Sequence, residues 1–189
     1  GLETSSWTKQ ANGSGLRVRF FHDFSSPFSY LGATQIESIC AANGARVRWR
    51  PMLLGGVFKL LGGPMVPLAT LSAPKQRFVS RDLERWAAHW EVPFRWPSRF
   101  PMKTTAPLRV ALSLEEDSVP FVQGVYRAYW AEDRDISDRS VLEDVLRSVG
   151  LDAAHGDAAE DPRWKQALID ATGAAVEAGV FGAPTTVVD

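Results

Sequence analysis

From residue 16 to residue 23, apolar Leu16, Val18 and Phe20 alternate with Arg17 and Arg19, the two-residue period of a strand with one covered face. At Pro27 the period lengthens. Phe28, Leu31, Gln35, Ile36, Ile39 and Cys40 fall three and four residues apart, which predicts a helix that buries this face and stops at Asn43-Gly44. Val47 and Trp49 then alternate with Arg46, Arg48 and Arg50, a second strand that ends at Pro51. Strand, helix and strand in so short a span imply a parallel pair joined by a right-handed crossover.

Beyond Pro51 the pattern is helical as far as Gly179. Residues 53–61, 74–91, 104–115, 118–131 and 138–149 have helical spacing and are separated by Gly and Pro. A last helix has Asp161 as its cap and Pro162 in its first turn, carries Trp164, Leu168, Ile169 and Val176, and stops at Gly179. In the closing VFGAPTTVVD, Thr185 to Val188 are strong strand formers, and Pro184 can stand only where the strand begins. A βαβ opening, a helical middle and a late strand entered through X-Pro predict an α/β fold, a thioredoxin-like sheet interrupted by a large all-helical insertion. On this reading residues 16–51 and 162–189 form the sheet domain, with its C-terminal part incomplete. Residues 52–161 are the insertion, and residues 1–15 a polar leader.

Composition narrows the function classes. With 189 residues, 45% hydrophobic and 23% charged, the chain fits one globular domain or one domain with an insertion. A formal charge of -1 gives no general pull toward nucleic acid or anionic membrane, and no run approaches the apolar length of a membrane span. Cys40 is the single cysteine, which excludes an internal disulfide and a CxxC pair and favours a reducing, cytoplasmic location. It falls on the apolar stripe of the first helix and reads as a core residue. His22, His89 and His155 lack metal-ligand spacing, so no metal is expected. Asp23 reads as a turn carboxylate, with orientation of Ser26 or the helix end as the alternative, and RDLER, residues 81–85, as a solvated face with local ion pairs.

The chemistry concentrates in FHDFSSPFSYLG, residues 21–32. Ser26 as N-cap and Pro27 at the first helical position would leave several backbone N–H groups without an intrahelical partner, at a helix end carrying about half a positive charge. Taken alone, Ser before Pro is an ordinary helix start. An anion would be stabilised there, and a thiolate is an anion. Lowering a thiol pKa of about 8.5 by roughly two units needs about 2.7 kcal/mol, within reach of a hydroxyl hydrogen bond and a helix N-terminus together. Ala183-Pro184, ahead of the last strand, is a candidate cis peptide that would turn the Ala183 backbone toward an extended ligand main chain.

SSPFSYLG, RWRPMLLGGVFKLLG and GVFGAPTTVVD, in this order, resemble the family of 2-hydroxychromene-2-carboxylate isomerases and kappa-class glutathione transferases, relatives of DsbA. The resemblance covers residues 17–189. It implies a DsbA-like fold that binds glutathione, with Ser26 hydrogen-bonding the glutathione sulfur, Pro27 beside it, and Ala183 before a cis Pro184 pairing with the cysteinyl backbone. It also implies that Lys75 lies near a glutathione carboxylate. Two departures stand out: Gly63 occupies the position where the family places an asparagine near glutathione, and the chain stops at Asp189, before a further strand and helix whose polar residues hold the γ-glutamyl end. No side chain from Ser26 to Ser29 contains sulfur, so the sulfur must arrive with the ligand.

The activity implied by the resemblance is glutathione-dependent cis-trans isomerisation of a 2-hydroxychromene-2-carboxylate type substrate in aromatic catabolism, by reversible thiolate addition. A kappa-like glutathione transferase would use the same residues. A non-catalytic binding module on the same fold is the third reading, suggested by Gly63 and the early end. Phe28, Phe58, Trp86 and Trp90 are candidates for an apolar pocket around a small aromatic substrate, against the alternative that they are core. Relatives imply a homodimer.

Overall fold

The computed structural model describes residues 15–189, so the leader expected over residues 1–15 lies, apart from Gly15, outside the described residues. Three strands make one sheet in the order β2-β1-β3, with β1 at Arg17–His22, β2 at Arg46–Pro51 and β3 at Thr185–Val188. β1 and β2 are parallel, with Phe20 opposite Trp49, and helix α1 (Pro27–Ala42) forms the crossover. β3 pairs with the other side of β1 in the antiparallel sense, Phe21 facing Thr185.

Six further helices fall on the stretches with helical spacing: α2 (Leu54–Leu60), α3 (Ala73–His89), α4 (Thr105–Leu114), α5 (Ser118–Trp130), α6 (Arg139–Ser148) and α7 (Pro162–Glu177). Asp161 caps α7 by accepting from the Arg163 N–H. Among the described residues, three short 3-10 segments, Pro67–Thr70, Glu115–Asp117 and Ala153–Ala159, escape the sequence pattern because so few residues cannot repeat an apolar period. Among the described residues, no helix is long and apolar enough to cross a membrane.

Successive strand residues face opposite sides of a sheet, so Phe20 and Phe21 enter different cores. Phe20 packs with Trp49, Tyr30 and the inner faces of α4, α5 and α6, where Phe121, Tyr126, Tyr129 and Trp130 of α5 are fully buried. Phe21 packs with Met52, Val57 of α2 and Ala175 of α7. Gly124 lets α5 lie close on α6, since a Cβ there would stand 2.7 Å from Val145 Cγ1.

The covered face of α1 differs from the expected stripe. Tyr30, Leu31, Ala33 and Cys40 are buried, whereas Phe28 and Ile39 are 42% and 50% exposed and Gln35 is half-buried. Strand β2 and helices α3 and α5 pack on α1 from separate directions. A helix held in this way has no single three-and-four stripe, and side chains between its neighbours open to the surface. Leu16 is also exposed, because β1 begins one residue after it.

Candidate functional site

Strand β1 delivers the chain into a tight turn, Asp23 to Ser26, which ends in the N-cap of α1. Ser26 has extended backbone angles (φ -96, ψ 119), and its Oγ accepts from the Ser29 N–H at 3.1 Å. The same hydroxyl donates to the Ala183 carbonyl oxygen at 2.8 Å, so it joins the start of α1 to the loop before β3. The Ala183-Pro184 peptide is cis, as the sequence suggested; Phe100-Pro101 is also cis. The Ala183 carbonyl is held by Ser26, while among the described residues nothing accepts from the Ala183 N–H.

The free donors at this helix end are fewer than the cap alone implies. The Ser26 N–H is held by the Asp23 carbonyl, Pro27 has none, and the Ser29 N–H is taken by Ser26 Oγ. Among the described residues, the Phe28 N–H alone is left over in this first turn. An incoming anion would meet that N–H, the helix dipole and a Ser26 hydroxyl able to rotate away from Ala183. The Ala183 N–H is a second open backbone donor, suited to an extended peptide-like ligand.

Behind the corner lies a buried polar layer that sequence reasoning undervalued. Asp23 is fully buried and is more than a turn carboxylate. Its Oδ1 accepts from the Ser25 N–H and Ser25 Oγ, both at 3.0 Å, and its Oδ2 accepts from the Leu54 N–H at 2.7 Å. Leu53, the N-cap of α2, has no capping side chain, so Asp23 supplies that cap from across the fold. Burial pushes the Asp23 carboxyl above its ordinary pKa, while the bonds from Ser25, Leu54 and Thr104 pull it back.

His22 is also fully buried, and its Nδ1 lies 3.0 Å from Tyr126 Oη. The Tyr126 hydroxyl donates its one hydrogen to the Asp23 carbonyl at 3.2 Å. His22 Nδ1–H then donates to Tyr126, which leaves Nε2 as a bare acceptor among the rings of Phe20, Phe24 and Trp49. The opposite assignment would strand an N–H there. Burial lowers the His22 pKa from 6.5 to about 3. Between those values the unfolded chain binds a proton that the fold refuses, so stability is full above pH 6.5 and falls as pH drops toward 3. Unfolding free energies from urea titrations between pH 7 and pH 4 are expected to decline by a few kcal/mol, about 1.4 per unit at most. His22→Gln should flatten that slope; an unchanged slope would assign the acid sensitivity to other groups.

The expected aromatic residues partly converge. A surface cleft of about 320 Å³ runs between α1 and α3, floored by Leu31 and Leu83 and walled by Phe28, Trp86 and Trp90. Phe58 is not part of its lining, because α2 packs chiefly against α7. Trp86 and Trp90 are 48% and 41% exposed, so the core alternative does not hold for them. Leu83 is buried and Asp82 lines the cleft, so residues 81–85 are not a uniformly solvated face, and no ion pair joins them to one another among the described residues. Lys75 is exposed in the first turn of α3, its ammonium with no hydrogen bond or ion pair to another described residue. Gly63 is exposed in the turn after α2, its N–H bonded to the Phe58 carbonyl at 2.9 Å, and a Cβ there would meet nothing closer than 3.8 Å.

Comparison with known proteins agrees with this fold. The family described as DSBA-like thioredoxin domain matches residues 17–189. A 2-hydroxychromene-2-carboxylate isomerase of Sphingobium xenophagum is 31% identical over 173 residues, covering 91% of this chain and 88% of that protein. Glutathione s-transferase kappa 2 of Caenorhabditis elegans is 26% identical over 181 residues, covering 88% of this chain and 78% of that protein. A solved 2-hydroxychromene-2-carboxylate isomerase structure superposes with a TM-score of 0.78 at 23% identity, covering 92% of this chain and 85% of the other.

Proposed function

Since the chain belongs to the DSBA-like thioredoxin domain family, among the 2-hydroxychromene-2-carboxylate isomerases and kappa-class glutathione transferases, we propose that it is a glutathione-dependent isomerase of small aromatic substrates of the 2-hydroxychromene-2-carboxylate type, with a role in aromatic catabolism. The observation that carries the reading is the corner itself, where the Ser26 hydroxyl, the unspent Phe28 N–H and the unspent Ala183 N–H offer donors to a thiol-bearing peptide. Bound glutathione would supply a thiolate that adds reversibly to a conjugated carbonyl compound, so that the former double bond can rotate before it is restored.

The chain's own residues do the rest. Ser26 turns its O–H from Ala183 toward the sulfur, and the N-terminus of α1, opened by Pro27, keeps the sulfur ionised. Ala183, ahead of Pro184, holds the ligand backbone through its N–H. Lys75 takes a ligand carboxylate, and Gly63 leaves unfilled the place of one further polar contact. Phe28, Trp86 and Trp90 hold the aromatic body against α1 and α3. The protein works in the cytoplasm as a homodimer, with residues 52–161 as an insertion in a sheet domain formed by residues 16–51 and 162–189.

The test is calorimetric titration of reduced glutathione into the protein. A Kd tighter than about 1 mM, near -4 kcal/mol, is expected. No heat at millimolar ligand would end the glutathione reading. The kappa-class relative favours a second reading, transfer of glutathione to an electrophile, and chlorodinitrobenzene conjugation without isomerisation would select it.

A further inference from the structure

The turn that aims Ser26 is held from behind by helix α5. Its closing bond runs from the Ser26 N–H to the Asp23 carbonyl at 3.1 Å, and the same carbonyl accepts from the Tyr126 hydroxyl at 3.2 Å. The next carbonyl, that of Phe24, accepts from the Trp130 indole N–H at 2.8 Å. Tyr126 and Trp130 stand four residues apart on α5, on one face, and both are fully buried. Two consecutive carbonyls of the turn thus rest on two consecutive turns of one helix.

Tyr126 also touches the other arm of the corner. Ser26 Oγ is held by the Ser29 N–H, and the fully buried Ser29 hydroxyl lies beside the Tyr126 phenol. A donor that must point at one sulfur depends on the backbone beneath it, since a misplacement of about 1 Å can cost about 100-fold in rate. Neither Tyr126 nor Trp130 reaches the surface, so any effect of theirs on a ligand passes through Ser26.

We propose that Tyr126 and Trp130 are positioning residues for Ser26, clamping the Asp23 and Phe24 carbonyls so that the serine hydroxyl and the first turn of α1 keep one geometry. The proposal rests on the assignment of Ser26 to the glutathione sulfur and names what holds it there. The titratable groups packed against the turn are His22 and Asp23 of its own segment, Tyr30 of α1 and Tyr126 of α5. Burial lowers His22 to about 3 and raises both phenols, so none of these three changes charge where a thiol titrates.

The test compares Tyr126→Phe with Tyr129→Phe, which removes the same group from the same helix but from a bond to the Arg99 carbonyl. Tyr126→Phe is expected to lower kcat of glutathione-dependent turnover about tenfold, to leave KM for glutathione within about twofold, and to move the rising limb of kcat to higher pH. Tyr129→Phe should leave all three as they are. A second measurement needs no glutathione. In Ser26→Cys the introduced thiol is titrated by its rate of alkylation with iodoacetamide against pH, the unsubstituted chain giving the background from buried Cys40. Adding Tyr126→Phe or Trp130→Phe should raise the pKa of that thiol by about half a unit or more, and adding Tyr129→Phe should not. A thiol pKa unmoved by Tyr126→Phe, or moved equally by Tyr129→Phe, would overturn the proposal. Failure of glutathione to bind would leave the alkylation result to decide, and an unmoved thiol pKa would leave glutathione binding intact.

Discussion

Ser26→Ala is expected to lower kcat/KM for glutathione-dependent turnover by about 100-fold, with most of the loss in kcat. A single preorganised hydrogen-bond donor to developing or resident negative charge is worth about 10² to 10³ in rate. The lower end applies here because the Phe28 N–H and the dipole of α1 survive the substitution. The second signature is the pH profile. Losing the donor should raise the pKa of the bound thiol by about one to two units, at 1.36 kcal/mol each, so the rising limb of kcat against pH moves to higher pH. Ser26→Thr keeps a hydroxyl and the cap and should recover much of the rate. The substitution also removes the acceptor of the Ser29 N–H and the donor to Ala183, which costs about 1 kcal/mol of stability. That cost is small enough for the variant to fold, so an activity loss is separable by comparing melting curves. Unchanged kcat and an unmoved pH limb would remove Ser26 from the chemistry and leave it as a cap.

Local signals made much of this legible. The two-residue alternation placed β1 and β2, the pairs Ser26-Pro27 and Asp161-Pro162 marked two helix starts, and Ala183-Pro184 marked the entry to β3. Each of these depends on residues within a few positions of one another. What escaped depends on distance along the chain. The arc of α1 that is covered is decided by β2, α3 and α5, so the stripe assigned Phe28 and Ile39 to a core they do not enter. Phe58 has the same aromatic character as Trp86 and Trp90, yet α2 packs on α7 while α3 packs on α1. The His22 bond to Tyr126 spans 104 positions and that of Asp23 to Leu54 spans 31. A signal for both was present, since His22 and Asp23 sit between Phe21 and Phe24 at a strand end, where a polar pair flanked by large apolar residues has to be buried with partners.

Asp23→Ala is expected to cost about 3 to 5 kcal/mol of folding stability, the largest effect of any polar substitution near the corner. The carboxylate is the acceptor for the Leu54 N–H and for two donors of Ser25, and removing it leaves these part-buried donors without their partner at about 1 to 3 kcal/mol each. Partial relaxation keeps the total below the simple sum. Asp23→Asn retains one acceptor oxygen but turns an amide N–H₂ toward donors, so it should lose about half as much. The pH dependence has a defined sign. Burial raises the folded pKa of Asp23, so its ionisation opposes folding as pH rises through that value, and its stabilising share is greatest below the unfolded carboxylate range. The alanine penalty, read from urea midpoints by circular dichroism, should therefore be larger at pH 4 than at pH 8. A penalty under about 1 kcal/mol at both would mean that water replaces the carboxylate. The consequence for the site follows from where the lost cap lies: α2 begins at Leu54 and ends in the turn that holds Gly63, so loosening its first N–H frees the whole segment between the serine corner and that turn. In Asp23→Asn, which should still fold, glutathione affinity is expected to weaken more than kcat falls, because Ser26 keeps its own bonds to Ser29 and Ala183 while the segment beside it moves.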